Sequence, residues 1–171
     1  NLTGYDGFAA RFPLRKVPGL LLRTPSNLPH HLIRHVLYMS LGSEIHMLPD
    51  FNGGLKIGAD DTDGMVEADS MPEHLHNVAG ILLDRAKDYL PGFAGWDYLD
   101  KCELTVGVRP FPEDGHSLAS ALPGAKGLYL IATHSGITLA PAIGGLMAEL
   151  IITGATPEML KPFTLERIEG F

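Results

Sequence analysis

The sequence predicts an α+β fold on three observations: short apolar runs divided by turn signals, one stretch of helical period, and a closing strand–loop–helix. Residues 1–13 show no period and read as an irregular lead-in. Val17–Thr24 (VPGLLLRT) is a short apolar run that reads as a buried strand, and Leu32–Ser40 (LIRHVLYMS) reads as another. Ile45–Leu48 and Leu55–Ala59 flank Pro49-Asp50-Phe51-Asn52-Gly53-Gly54. An Asn-Gly signal between apolar runs predicts a hairpin. Asp60–Gly64 ends that strand and opens a loop.

From Pro72 to Tyr89 the period turns helical, with Leu75, Val78, Ala79, Leu82, Leu83 and Ala86 recurring at three- and four-residue steps. Asp69 or Ser70 is the expected cap, Pro72 suits the first turn, Glu73 suits the positive end of the dipole, and Leu90-Pro91-Gly92 stops the helix. Leu104–Arg109 reads as a strand leading to the turn Glu113-Asp114-Gly115. Gly127–Ala132 (GLYLIA) reads as a strand buried on both faces. It runs through Thr133-His134-Ser135-Gly136 into a helix from about Ile137 to Thr153 whose Ala142, Gly144, Gly145 and Ala148 form a small-residue side; an ordinary strand–helix connection with Ser135 as a cap is one reading of that loop. This last strand and helix look like part of a parallel sheet whose other strands lie elsewhere.

A chain of 171 residues, 45% hydrophobic and 19% charged, is long and apolar enough for one good-sized core. Its net charge of −7, with no basic run interleaved with aromatics, excludes a nucleic-acid surface and leaves small-molecule or protein partners. One cysteine, Cys102, rules out an internal disulfide and fits a reducing, cytoplasmic setting. Gly136–Ala155 is the one membrane-like stretch; with Glu149 and Pro141 in it, a buried core helix is expected rather than a membrane span. The start at Asn1, without Met or a signal pattern, reads as that of a fragment or processed subunit. No metal site is expected. His31 and His35 would diverge on a strand, His74 and His76 diverge on a helix, and Asp60-Asp61-Thr62-Asp63-Gly64 lacks the alternation and closing Glu of a calcium loop.

Three segments in order carry a family likeness: Val108-Arg109-Pro110 followed by Glu113-Asp114-Gly115; the run Gly127 to Pro141 (GLYLIATHSGITLAP); and Lys161-Pro162-Phe163-Thr164-Leu165-Glu166-Arg167. Spacing leaves one strand between the Arg-Pro and His-Ser-Gly elements. Together they resemble the carboxy-terminal signature of the D-amino-acid oxidase family, which includes glycine and sarcosine oxidases; Pro18–Asp63 is similar to that family's substrate domain. The resemblance implies FAD and an enzyme of two discontinuous halves. Residues 1–112 correspond to the flavin-covering, substrate-binding domain with an antiparallel or mixed sheet. Residues 113–171 correspond to the return segment that completes the FAD-binding α/β domain. No G-x-G-x-x-G follows a strand here, so the nucleotide site is expected on sequence outside this chain or on another chain.

By the same resemblance, the loop and helix start Thr133, His134, Ser135, Gly136, Ile137 and Thr138 face the flavin, where free N–H groups would favour an anion. Arg109 is implied as the anchor for a substrate carboxylate, because guanidinium pairs with carboxylate through two parallel bonds; pairing with Glu113 or Asp114 is its structural alternative. His134 is a candidate base, but a lone His in a loop is more often a hydrogen-bonding fixture. Tyr38 and His46 are candidate pocket liners, with packing or facing solvent as the alternative. Some sarcosine-oxidase relatives tether flavin to a Cys close before the acidic turn. Cys102 lies too far upstream, so the FAD is expected to be non-covalent. The expected function is oxidation of an amino acid or related amine by hydride transfer to flavin, by a parent protein of which this chain alone is inactive. The alternatives are a non-catalytic scaffold subunit docked on a separate flavoprotein, and a stand-alone α+β binding domain. An uncovered apolar strand–helix would favour homo-oligomers.

Overall fold

The computed structural model describes residues 12, 14–26, 33–40, 42, 44–93 and 95–168. The expected lead-in, save Phe12, lies outside the described residues, as does His31. Two compact units divide the chain, one of Val17–Val108 and one joining Asn1–Lys16 to Arg109–Phe171. Seven strands are described: β1 (Leu14–Arg23), β2 (Leu37–Met39), β3 (Ile45–Pro49), β4 (Leu55–Gly58), β5 (Glu103–Pro112), β6 (Leu118–Ala121) and β7 (Tyr129–Ala132). Two long helices are α1 (Pro72–Tyr89) and α2 (Gly136–Thr153).

A five-stranded sheet has the order β2-β3-β4-β1-β5, with β1–β4, β2–β3 and β3–β4 antiparallel. In Val17–Val108, strand alternation sends Leu20 and Leu22, Ile45 and Met47, and Leu55 and Ile57 to one buried face. Val78, Ala79, Leu82, Leu83 and Ala86 of α1 complete that core. Truncating fully buried Leu82 to Ala should cost about 2–5 kcal/mol. The hairpin forms where the Asn-Gly signal stands. Gly53 takes φ 86°, Asn52 Oδ1 accepts the Gly54 N–H at 2.7 Å, and Met47 pairs with Ile57 across the strands. Buried Thr24 closes the same corner, its Oγ1 accepting the Leu55 N–H at 2.8 Å.

Some local expectations change. Leu32–Ser40 yields only the three-residue β2, with Arg34 and His35 exposed in a bend. Asp60–Met65 is a 3-10 helix rather than a loop; its acidic residues sit in the first turn, where the free N–H groups lie, and buried Thr62 donates to the Ala59 carbonyl. Helix α1 starts at Pro72 as predicted, but Met71 occupies the cap position and makes no side-chain bond. Ser70 Oγ is spent instead on the Glu67 N–H at 2.8 Å.

In the second unit, β6 and β7 form a two-stranded antiparallel sheet, with Leu118 opposite Ala132 and Ala121 opposite Tyr129. Two strands, not one, therefore stand between the Arg-Pro and His-Ser-Gly elements. Leu118, Leu122, Ala125, Ala132 and Leu165 make one core; Ala119, Met147, Leu150 and Leu160 make another. The expectation that Gly127–Ala132 is buried on both faces fails. Ile131 is 51% exposed, and Tyr129 and Leu130 are half-buried, because one neighbouring strand and a helix edge cannot cover two faces. Helix α2 is likewise not a buried core helix. Only Met147 and Leu150 are buried, and Ile137 and Ile152 stand bare. By length and composition this helix is apolar enough to cross a membrane. Gly154 ends it in the left-handed conformation, φ 71°, its N–H on the Leu150 carbonyl.

Candidate functional site

The chemistry-bearing residues fall into two groups, one in each unit. In the unit containing Arg109–Phe171, strand β5 ends by presenting half-buried Arg109 and Phe111 while Pro110 is exposed. Residues two apart on a strand share a face, so Arg109 and Phe111 point the same way. The Phe111 ring stacks on the His134 imidazole, with centroids 4.2 Å apart and planes 13° from parallel. The Arg15 guanidinium lies over the Phe111 ring, 4.6 Å from its centroid.

The loop leading into α2 is tied down by short bonds. Thr133 Oγ1 shares a hydrogen bond with Ser117 Oγ at 2.8 Å and accepts the Ser135 N–H at 3.1 Å. His134 Nε2 meets the Gly115 carbonyl at 3.2 Å, and Nδ1 meets Ser135 Oγ at 2.9 Å. A carbonyl only accepts, so Nε2 carries the proton and, in the neutral ring, Nδ1 receives the Ser135 hydroxyl. Ser135 stands at the N-cap position yet makes no side-chain cap bond, because its hydroxyl is committed to His134. Helix geometry leaves first-turn N–H groups without intrahelical partners, and here Gly136, Ile137 and Thr138 are exposed. Beside them, Ile131, Thr133, Gly136, Ala140, Ile143 and Gly144 line an apolar groove of about 220 Å³.

Asp114, one of the two acids named as Arg109's structural alternative, is engaged by Arg167. Its carboxylate is gripped with Nε to Oδ2 at 2.6 Å and Nη2 to Oδ1 at 3.3 Å. That hydrogen bond holds the Asp114 carboxyl down at about 2, against the weaker upward push of burial. Sequence reasoning missed Arg167, Arg15 and Phe111. Arg109 and Phe111 sharing a strand face was a usable signal; the Asp114–Arg167 pair had none beyond both lying in family-like segments.

In the unit of Val17–Val108, Tyr38 and His46 are cross-strand partners on β2 and β3, their rings parallel within 5° at 6.0 Å. Tyr38 is exposed and donates to Glu44 Oε1, with Asp60 Oδ2 at 3.5 Å. The bond to Glu44, with burial and the nearby acids, pushes the phenol up to about 12. His46 is half-buried and lies against Gly58, where an added Cβ would come within 2.5 Å of Nε2. Among the described residues no group of three or more His, Cys, Asp or Glu side chains is arranged to hold a metal ion.

A family model described as FAD dependent oxidoreductase matches residues 2–150. The chain belongs to the FAD dependent oxidoreductase family. Glycine oxidase of Geobacillus kaustophilus (strain HTA426) is 31% identical over 131 residues, 73% of this chain and 32% of that protein. Glycine oxidase of Bacillus licheniformis is 32% identical over 130 residues, 73% of this chain and 33% of that protein. This member of the family therefore spans about a third of the length of those curated relatives. The crystal structure of glycine oxidase from Geobacillus kaustophilus superposes with a TM-score of 0.63 at 24% identity, over 93% of this chain and 40% of that one. The structure of L-amino acid deaminase from Proteus vulgaris gives 0.62 at 19% identity, over 95% and 39%. These likenesses establish the family's mixed α+β fold with an antiparallel sheet, as the resemblance implied.

Proposed function

We propose that this chain is the substrate-binding part of an FAD-dependent enzyme that oxidises an amino acid or related amine. The observation that carries the reading is the start of α2: an uncapped first turn with exposed Gly136, Ile137 and Thr138, set beside an apolar groove. Unpartnered N–H groups and a positive dipole end suit the electron-rich, pyrimidine side of a flavin, and an apolar wall suits a flat ring. The residues present thus fit the ring end of FAD. When bound, FAD supplies the redox chemistry, taking a hydride equivalent from the carbon beside nitrogen.

The chain's own residues bind and orient. Arg109 grips a substrate carboxylate through its planar fork, holding the neighbouring C–H in place. Thr133, His134 and Ser135 fix the loop that presents the first-turn N–H groups. His134 is read as a fixture rather than a base, since both its ring nitrogens have partners. Tyr38 and His46 are assigned to the substrate side. FAD is held non-covalently in this reading; burial pushes the half-buried Cys102 thiol up to about 11, which leaves little thiolate for a tether.

In this reading residues 1–112 bind substrate and cover the flavin, residues 113–171 complete the FAD-binding domain, and the nucleotide-binding part lies on further sequence or another chain. The bare apolar surface of α2 is read as facing that protein, not lipid, in a cytoplasmic enzyme. Purification of the full protein tests the proposal. Bound flavin absorbance that bleaches on adding an amino acid supports it; colour only after adding a second chain supports the scaffold alternative; no flavin under either condition overturns both.

A further inference from the structure

We infer that Arg167 is a positioning residue that sets the orientation and tautomer of the His134 imidazole through the turn carrying Gly115. The guanidinium grips both sides of that turn. It bonds Asp114 through Nε and Nη2, and Nη2 also donates to the His116 carbonyl at 3.0 Å. Asp114 Oδ1 in turn accepts the His116 N–H at 3.0 Å. Gly115 lies between these two residues at φ 76°, a conformation that glycine adopts without strain, and its N–H returns to the Pro112 carbonyl at 2.9 Å. Its own carbonyl is thereby aimed at His134 Nε2.

That carbonyl decides which nitrogen keeps the proton, and so decides that the Ser135 hydroxyl donates inward to Nδ1 rather than capping α2. The Phe111 ring prevents the imidazole from tilting, leaving the turn to set its hydrogen bond. Arg167 is anchored on its other side by the Thr164 carbonyl at 3.3 Å, and its own side chain is only 16% exposed. A residue near the end of the described chain thus controls the loop before α2 without touching it. The inference deepens the proposed function, since the flavin-facing role of that loop rests on that reading.

The test is nitrogen NMR of the full protein labelled at histidine, at a pH where the ring is neutral, with His134→Gln assigning the signal. The wild type should show one tautomer, protonated at Nε2. Arg167→Ala and Asp114→Ala should each replace it with a mixture, Arg167→Lys should fall between, and the double variant should match the singles. If Arg167→Ala does not fold, Asp114→Ala carries the same test, its side chain being partly exposed. A folded variant that keeps the pure Nε2–H signature, or singles whose effects add, overturns the inference. Flavin absorbance of the wild type is read separately: its absence sinks the proposed function and leaves the tautomer result standing.

Discussion

Phe111 and His134 lie face to face, 4.2 Å apart between ring centroids, and so join the end of β5 to the loop that opens α2. The contact couples the strand bearing Arg109 to the residues assigned to the cofactor. Aromatic pairs contribute about 0.5–1.5 kcal/mol beyond their buried area. Phe111→Leu, which keeps most of the volume, should therefore lower stability by about that amount, and Phe111→Ala by more. Urea unfolding of the two variants against wild type measures both values.

Arg109→Ala should raise the KM for an amino-acid substrate by about 10- to 100-fold, the loss expected for a charge-assisted pair of about 1.5–3 kcal/mol. Folding should survive, because the residue is only half-buried. Steady-state kinetics with an amino acid and with the corresponding simple amine discriminate. A KM unchanged for the amino acid dismisses the anchor.

Gly58→Ala places a methyl group 2.5 Å from His46 Nε2 and 3.1 Å from Cε1, so the imidazole must leave its seat. The cost should be about 1–3 kcal/mol, as for other overpacked sites. Most of it should vanish in the Gly58→Ala/His46→Ala double variant, giving a strongly non-additive cycle by denaturant titration.

Asp114 yields an acid signature. Its carboxyl sits at about 2 in the fold against an ordinary 3.8, chiefly through the Arg167 hydrogen bond, so the folded state binds fewer protons than the unfolded chain. The stabilisation is complete above the ordinary value and is lost as pH falls through about 2. Because Asp114 is 41% exposed, solvent screening keeps the effect small. Stability profiles of wild type and Asp114→Asn should converge toward pH 2 and separate above 3.8.

The sequence was most legible where a period and a stop signal agree. Helix α1 and the β3–β4 hairpin follow from Leu82-type spacing and from Asn52-Gly53, both local properties. Strand β6 escaped because Leu118-Ala119-Ser120-Ala121 has three small side chains and no β-branched signal. The bareness of α2 was illegible for another reason: apolar composition says that a helix wants cover, not what supplies it. In the candidate site, Thr133–Thr138 stand out in the sequence because they are contiguous and resemble a family motif. Arg167 could not, since it meets Asp114 across 53 positions and no spacing rule reaches that far.

Helix α2 also carries a calorimetric consequence. Only surface that is dry in the native state adds to the heat-capacity change of melting, and this helix is already wet over most of its length. The chain by itself should accordingly fall below the usual increment of about 12–15 cal/mol/K per residue, and its denaturant slope should be shallow for its size. In the proposed reading, where further sequence or another chain covers the helix, both quantities should rise to ordinary values once that cover is supplied.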